Sequence, residues 1–481
     1  MAASRILPRA SQKLSGLLVF PSLPANLADG VMKFLRIVLG LWCLGATLFA
    51  QSMDRKFFPY PYTIDDFTNG LRLITVPTDH PNLVALYLIV RTGSRNEIEP
   101  GKSGYAHFFE HMMFRGSERF SSDERELIMK RAGADSNAYT SDDRTVYHVL
   151  VNKADLEKMV ELEADRFQRL KYSKEGYRTE ALAVLGEYNK NSANPFSKLH
   201  EVLRETAFDK HTYKHTTMGF LKDIEDMPNQ YDYSLVFYDR WYRPEYTTIV
   251  MVGDITQERA RELTTKHFGQ WQRGKYEANI PKEDPQTAPR KAHVPWPSPT
   301  LPYVVVAYRG PAYSDAKKDK AALDLLSPIA FGQNSDLYRK LVLNEQKVDA
   351  ISPNFDDQID PELFSIYARV KDPKDVDYVR DQILATFKRF SEELVSQTQL
   401  DETRSRQRYG TALQWTSAEA IAGYLASYIA IARTPETIEK EAKIFQSITP
   451  EDIREMARKY FNESSRTVVT LASEPASKEA K

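Results

Sequence analysis

Residues 281–302 read PKEDPQTAPRKAHVPWPSPTLP and hold seven prolines. Proline fixes φ and has no N–H to donate, so this stretch can be neither a helix nor a central strand. It reads as an extended connector over the surface. It separates two parts of similar size, 55–280 and 303–475. The parts also repeat. The strand-like YLIVR ending at Arg91 matches VVAYR ending at Arg309. Trp241-Tyr242 with TTIVMVG, ending at Gly253, matches Tyr460-Phe461 with RTVVTLA, ending at Ala472. The two matches stand at nearly the same offset, which indicates a duplicated domain. A chain of 481 residues is in any case too long for one ordinary core.

Each part reads as α+β. Strands are expected over 71–76, 84–91, 146–151 and 248–252, then over 303–308, 364–370 and 467–471. β-Branched residues are frequent there and the alternation is mixed. Helices are expected over 104–114, 122–131, 154–169, 174–191, 198–207 and 257–268, then over 319–330, 336–344, 373–395, 401–413 and 450–460. The 65 basic and 66 acidic residues leave a formal charge of -1, which argues against a nucleic-acid partner. No glycine-rich phosphate loop follows a strand, so nucleotide chemistry lacks support. The single cysteine, Cys43, excludes a disulfide framework and a cysteine zinc site. Any metal must therefore sit on histidine and carboxylate.

The N-terminus has its own signature. Met32-Lys33-Phe34-Leu35-Arg36 precedes an apolar run from Ile37 to Ala50. A basic start followed by roughly 7–15 apolar residues is the form of a secretory signal. A membrane span needs about 20 apolar residues. Residues 1–50 are thus expected to be a signal peptide with Met1 or Met32 as its start, cleaved near Ala50-Gln51, or else an N-terminal anchor. Leu41-Trp42 before Cys43 do not make a lipoprotein box. Removing 1–50 takes away five basic residues, one acidic residue and the cysteine, leaving 60 against 65, net -5. An exported protein, periplasmic or secreted, fits this thiol-free remainder.

The densest chemistry lies in Ser103–Gly116, SGYAHFFEHMMFRG. Ser103 can cap a helix and Gly116 can stop it. His107 and His111 are four apart and share a helical face, with Glu110 close to that face. This is H-x-x-E-H, the inverted zinc-peptidase pattern. Neutral imidazoles suit Zn²⁺, and a catalytic site adds a third protein ligand and leaves a position for water. A carboxylate beside that water can take its proton and pass it to a leaving amine. The third ligand is sought in the helix beginning near Lys174. There Glu180 and Glu187 lie two turns apart among Ala181, Leu182, Ala183, Val184 and Leu185. One can bind the metal while the other orients a ligating histidine.

GYAHFFEHMMFRGS, NAYTSDDRTVYH from Asn137 and RTEALAVLGEYNK from Arg178 together resemble the insulinase/pitrilysin metallopeptidases, the inverzincins. That family includes mitochondrial processing peptidase and short bacterial forms. The resemblance covers nearly all of 55–475. It implies two homologous α+β domains, each an antiparallel sheet packed with helices, arranged as a clamshell: a zinc-binding domain over 55–280 and a zinc-less one over 303–475. The family's spacing from the second histidine to its ligand glutamate, counted from His111, lands on Glu187, and its supporting glutamate falls at Glu180. The resemblance makes Glu110 the catalytic base on one Zn²⁺ per chain. It reads Asn137, Ala138, Tyr139 and Thr140 as an edge strand that holds extended substrate. It treats His211 and His215 as a structural loop pair.

The second part departs from the zinc pattern. Its counterparts of His107, Glu110 and His111 are Leu325, Pro328 and Ile329. In fully active single chains of the family an Arg and a Tyr seven residues apart bind the substrate carbonyl and the oxyanion. They follow a helix resembling Ser335–Leu341, and here they align with about Val342 and Asp349; Tyr338 and Arg339 have the wrong order and spacing. The resemblance therefore implies a zinc endopeptidase for unfolded or extended peptides, working as a heterodimer with a zinc-less homologous subunit that supplies Arg and Tyr. A homodimer or monomer drawing on Arg309 or Tyr308 is the alternative assembly. The alternative function is a non-catalytic peptide-binding or assembly scaffold of the same fold.

Overall fold

A computed structural model of the chain describes residues 56–474. The expected signal or anchor, residues 1–50, lies outside the described residues. No helix among the described residues is long and apolar enough to cross a membrane. From Tyr60 onwards they form one compact unit.

Two sheets organise that unit. The first contains β1 (Thr63–Asp66), β2 (Arg72–Pro77), β3 (Leu83–Val90), β4 (Asp135–Thr140), β5 (Thr145–Asn152) and β6 (Thr247–Gly253), in the order β1-β2-β6-β3-β5-β4. The second contains β7 (Arg290–Trp296), β8 (Tyr303–Arg309), β9 (Val348–Asn354), β10 (Leu363–Val370) and β11 (Arg466–Ser473), in the order β7-β11-β8-β10-β9. The expectation of purely antiparallel sheets is corrected here: both are mixed. β2 pairs parallel to β6, and β7 pairs parallel to β11. In each case a long helical segment brings the last strand back into the sheet, β6 between β2 and β3 and β11 between β7 and β8, and such parallel pairs cannot be joined by a short hairpin.

The proline-rich stretch is also more than a connector. From Arg290 it becomes β7, an edge strand with Pro295 inside it. An edge position tolerates the missing N–H that a central strand would need.

Helices of eight or more residues in the first half are α1 (Tyr105–Met112), α2 (Ser122–Ala132), α3 (Leu156–Arg169), α4 (Lys174–Ser192), α5 (Pro195–Ala207), α6 (Tyr231–Trp241) and α7 (Gln257–Phe268). In the second half they are α8 (Lys318–Phe331), α9 (Val376–Glu392), α10 (Gln397–Ala412), α11 (Ala418–Ala432), α12 (Glu436–Ser447) and α13 (Pro450–Tyr460). The helix expected over 336–344 is one turn, Asp336–Tyr338, running into a π-helix, Arg339–Asn344.

Each half covers one face of its sheet with its own helices and takes the cover of the other face from its sibling. Leu86, Leu88 and Val90 of β3 join the core formed with α1 and α3. The alternate residues Ala85, Tyr87 and Ile89 are buried too, and α11 of the second half packs along β3 and β6. Reciprocally, Val304, Val306 and Tyr308 of β8 join a core with α8, α9 and α13. Val305 and Ala307 pack instead with Leu199, Leu203 and Ala207 of α5. Strands covered on both faces lose polar alternation, which explains their nearly continuous apolar runs.

Matched arginines close both exchanges. Arg91 Nε donates to Ala430 O at 2.8 Å and Arg72 Nη1 to Arg433 O at 2.8 Å, at the C-terminus of α11. Arg309 Nη2 donates to Ala207 O at 2.6 Å and Arg290 Nη1 to Thr206 O at 3.0 Å, at the C-terminus of α5. Arg72 and Arg290 stand as far apart in the sequence as Arg91 and Arg309, so the repeat relates both pairs. Guanidinium groups there satisfy open carbonyls and oppose the negative end of the helix dipole. Burying Ile421, Leu425 and Ile429 of α11 contributes about 1.5–3 kcal/mol each. The exchange should therefore hold the halves together without the covalent link. A protease site inserted after the exposed Asn279, once cut, should leave both fragments co-eluting on size exclusion in native buffer and separating only in denaturant. Separation in native buffer would show that the connector, not the exchange, joins them.

Candidate active site

Helix α1 is buried on almost every side: Tyr105, Ala106, His107, Phe108, Phe109 and Met112 are all inaccessible or nearly so. Its start is fixed by backbone rather than by the expected Ser103 cap. Gly104 has φ 88°, and a Cβ on Gly219 would lie 2.8 Å from Gly104 N, so both positions need glycine. Ser103 Oγ is committed elsewhere, donating to Asp223 at 2.6 Å and accepting from Phe220 N at 2.8 Å. The cap comes from Glu97, whose carboxylate accepts from Gly104 N at 2.6 Å and Ala106 N at 2.7 Å. Burial pushes the Glu97 carboxyl well above its ordinary range, and the two backbone bonds offset only part of that. The helix ends at Met112, before the expected stop at Gly116.

From this helix His107 and His111 meet Glu187 of α4. Glu187 Oε2 is 3.6 Å from His107 Nε2 and 3.5 Å from His111 Nε2. Ligand atoms of the three side chains lie within 4.8 Å of one another, and among the described residues this is the one such histidine–carboxylate group. Burial, with His111 adding to it, drives the His107 imidazole down to about 4, so its ring is neutral at ordinary pH. Two imidazoles and one carboxylate are a donor set that fits Zn²⁺.

Glu180, two turns before Glu187, is only 2% exposed. Its Oε1 lies 2.9 Å from His111 Nδ1, which turns His111 Nε2 towards Glu187. That bond is the main cause of an upward shift at His111. Burial alone would raise the Glu180 carboxyl, but bonds from His111 and Arg115 outweigh it and the net shift is downward. Arg115, one turn beyond His111, thus forms an ion pair that the sequence reading missed; its i+4 spacing from His111 was the available signal.

Glu110 is partly buried beside the group, and burial raises its carboxyl above the ordinary value. Its Oε2 accepts from Thr140 Oγ1 at 2.7 Å. Asn137, Ala138, Tyr139 and Thr140 lie in β4, which is an edge strand next to α1. Ala138 is buried and Asn137 exposed. His211 and His215 stand apart from the group. His211 Nδ1 accepts from Tyr213 N at 3.0 Å and its Nε2 meets Asp360 at 3.0 Å, while His215 Nδ1 bonds Thr216 O at 2.9 Å.

Residues 73–220 match the family model described as Insulinase (Peptidase family M16), and residues 230–407 match Peptidase M16 inactive domain. The chain belongs to the M16 peptidase family. It is 29% identical over 436 residues to the zinc protease PqqE of Helicobacter pylori, covering 89% of this chain and 95% of that one. It is 30% identical over 203 residues to the beta subunit of the mitochondrial-processing peptidase of Bos taurus, 42% of this chain and 40% of that one. A protease structure from Helicobacter pylori superposes with a TM-score of 0.80 at 27% identity, covering 86% of this chain and 99% of that one. The fold also matches the periplasmic protease PqqL of Escherichia coli, with a TM-score of 0.70 at 20% identity, covering 86% of this chain but 48% of PqqL. By homology this M16 protein is a zinc metalloprotease.

Metal titration of the apo-protein tests how the two α4 glutamates divide their work. Glu187→Gln should weaken zinc binding most, and Glu180→Gln by about 10–100-fold, the usual cost of losing a group that orients a ligand. The opposite ranking would exchange the two roles.

Proposed function

We propose that this protein is a zinc-dependent endopeptidase acting on unfolded or extended peptides, with Glu110 as its base. The observation that carries this reading is the convergence of His107, His111 and Glu187 with the Glu110 carboxylate beside them. A Zn²⁺ held by these three ligands supplies a Lewis acid that acidifies water and polarises a carbonyl. Glu110 takes the proton of the attacking water on its carboxylate and returns it to the leaving amine. Its raised affinity for protons, caused by burial, suits that task near neutral pH. Glu180 keeps the His111 ring oriented. The free side of β4 offers main-chain groups along which an extended peptide can lie, at Asn137–Thr140. A scaffold without catalysis would need none of these groups, and all of them are present.

Glu110→Gln keeps the shape and removes the proton acceptor. It should bind zinc normally and lose nearly all cleavage of a fluorogenic peptide, and chelation of the wild type should give the same loss. Substantial turnover by a zinc-loaded Glu110→Gln protein would remove Glu110 from the role of base.

Oxyanion stabilisation is the part this chain does not visibly complete. Val342 is aliphatic, and Asp349 is tied to Arg369 Nε at 2.6 Å. Arg309 is spent on the α5 carboxyl end and Tyr308 is 4% exposed within the second core, which disfavours both as substitutes. We therefore infer a heterodimer with a zinc-less homologue that brings the Arg and Tyr, the two chains facing one chamber. That PqqL spans about two such units in one chain agrees with this size relation. Residues 1–50 would export the protein to the periplasm or beyond. Removing one oxyanion donor costs about 10²–10³ in turnover. The purified chain should thus be slow alone and accelerate on adding the sibling, unless that sibling's Arg or Tyr is changed. Full activity of the isolated chain at about 1–10³ per second would refute the partnership.

A further inference from the structure

Thr140 stands where substrate strand and general base meet. Its backbone ends β4, while its side chain turns to α1 and donates to Glu110 Oε2 at 2.7 Å. Among the described residues no other side-chain donor bonds Glu110. The carboxylate fixes the direction of this bond, since an ionised carboxylate only accepts; Thr145 Oγ1, 3.5 Å away with its own proton on Thr92 O at 2.9 Å, is a more distant acceptor for the same hydroxyl.

The segment that carries Thr140 is held from several sides. A Cβ on Gly93 would lie 2.1 Å from Ser141 O, so glycine alone allows that approach. Asp142 accepts from Ser94 Oγ at 2.6 Å, Arg204 Nη1 at 3.0 Å and Gln358 Nε2 at 3.2 Å. Asp143 accepts from Tyr213 Oη at 2.8 Å and Ile359 N at 2.7 Å. Gln358 and Ile359 belong to the half that has no zinc ligands. That half thereby anchors the turn that fixes Thr140.

We propose that Thr140 is a positioning residue for the general base: its hydroxyl pins one oxygen of Glu110 and so sets the direction of the carboxylate, and Thr140 is itself held by the second half through the turn 141–143. This rests on the reading of Glu110 as base. Thr140 serves the base through its side chain, with its own backbone adding to the same carboxylate, and leaves the main chain of Asn137–Tyr139 to substrate. Misplacing a catalytic group by about 1 Å can cost on the order of 10²-fold in rate.

The test compares wild type, Thr140→Val, Thr140→Ser and Glu110→Gln as full chains, together with whatever partner activity requires. Thr140→Val is nearly isosteric and β-compatible; it should lower kcat by about 10–100-fold with KM and zinc content unchanged. Thr140→Ser should restore most of kcat. In the Glu110→Gln background Thr140→Val should add little, since both act on one step. Crystal structures supply a readout independent of turnover: the Glu110 carboxylate should leave its place in Thr140→Val and keep it in Thr140→Ser. An undisturbed Glu110 in Thr140→Val, an unchanged kcat, or a loss confined to KM would each overturn the proposal. A wild type that binds zinc and cleaves, but whose Glu110→Gln variant stays active, would instead sink the reading of the base. The crystallographic comparison still decides whether Thr140 positions Glu110.

Discussion

The exchange of α5 and α11 is the constraint on which the rest of this molecule depends. Neither sheet can bury its second face with helices from its own half. Each borrows one, and a pair of strand arginines takes hold of the borrowed helix by its terminal carbonyls. The arrangement is symmetric because the sequence is duplicated: Arg91 and Arg72 recur as Arg309 and Arg290. Two domains tied this way behave as one body, so a large opening motion within the chain would expose both apolar faces to water.

The His107–His111–Glu187 group inherits its rigidity from that body. Helix α1 is short, and an isolated helix of eight residues would be marginal in water. Burial in the first core and the Glu97 cap hold it. Helix α4 then brings Glu187 to the two histidines and Glu180 to the back of His111. The edge strand brings Thr140 to Glu110, and the turn after it is gripped by the second half. A domain without zinc ligands thus takes part in the site by fixing geometry.

Much of this was legible. His107, Glu110 and His111 announce themselves by spacing on one helical face, and the glutamates by lying two turns apart in an apolar helix. What escaped was set by long-range contacts. Helix α11, AEAIAGYLASYIAIA, went unnoticed because residues on nearly all its sides are apolar or small, so no polar stripe marks its period. The edge strand β7 was hidden by its prolines. Ser103 had the right type for a cap, yet Glu97 wins because the chain before α1 folds back over the helix end. Parallel pairing within each sheet is a property of crossovers, which local alternation does not encode.

The sequence by itself indicated the duplication, the α+β class and the candidate residues His107, Glu110, His111, Glu180 and Glu187, because each is written in residue type and spacing along the chain. Only the tertiary structure decided which half covers which sheet, what caps helix α1, how His111 and Arg115 share Glu180, and where the Thr140 hydroxyl points. Apart from the Glu97 cap, seven and nine positions from its donors, these contacts join residues tens to hundreds of positions apart, and their geometry exists only once both cores have packed.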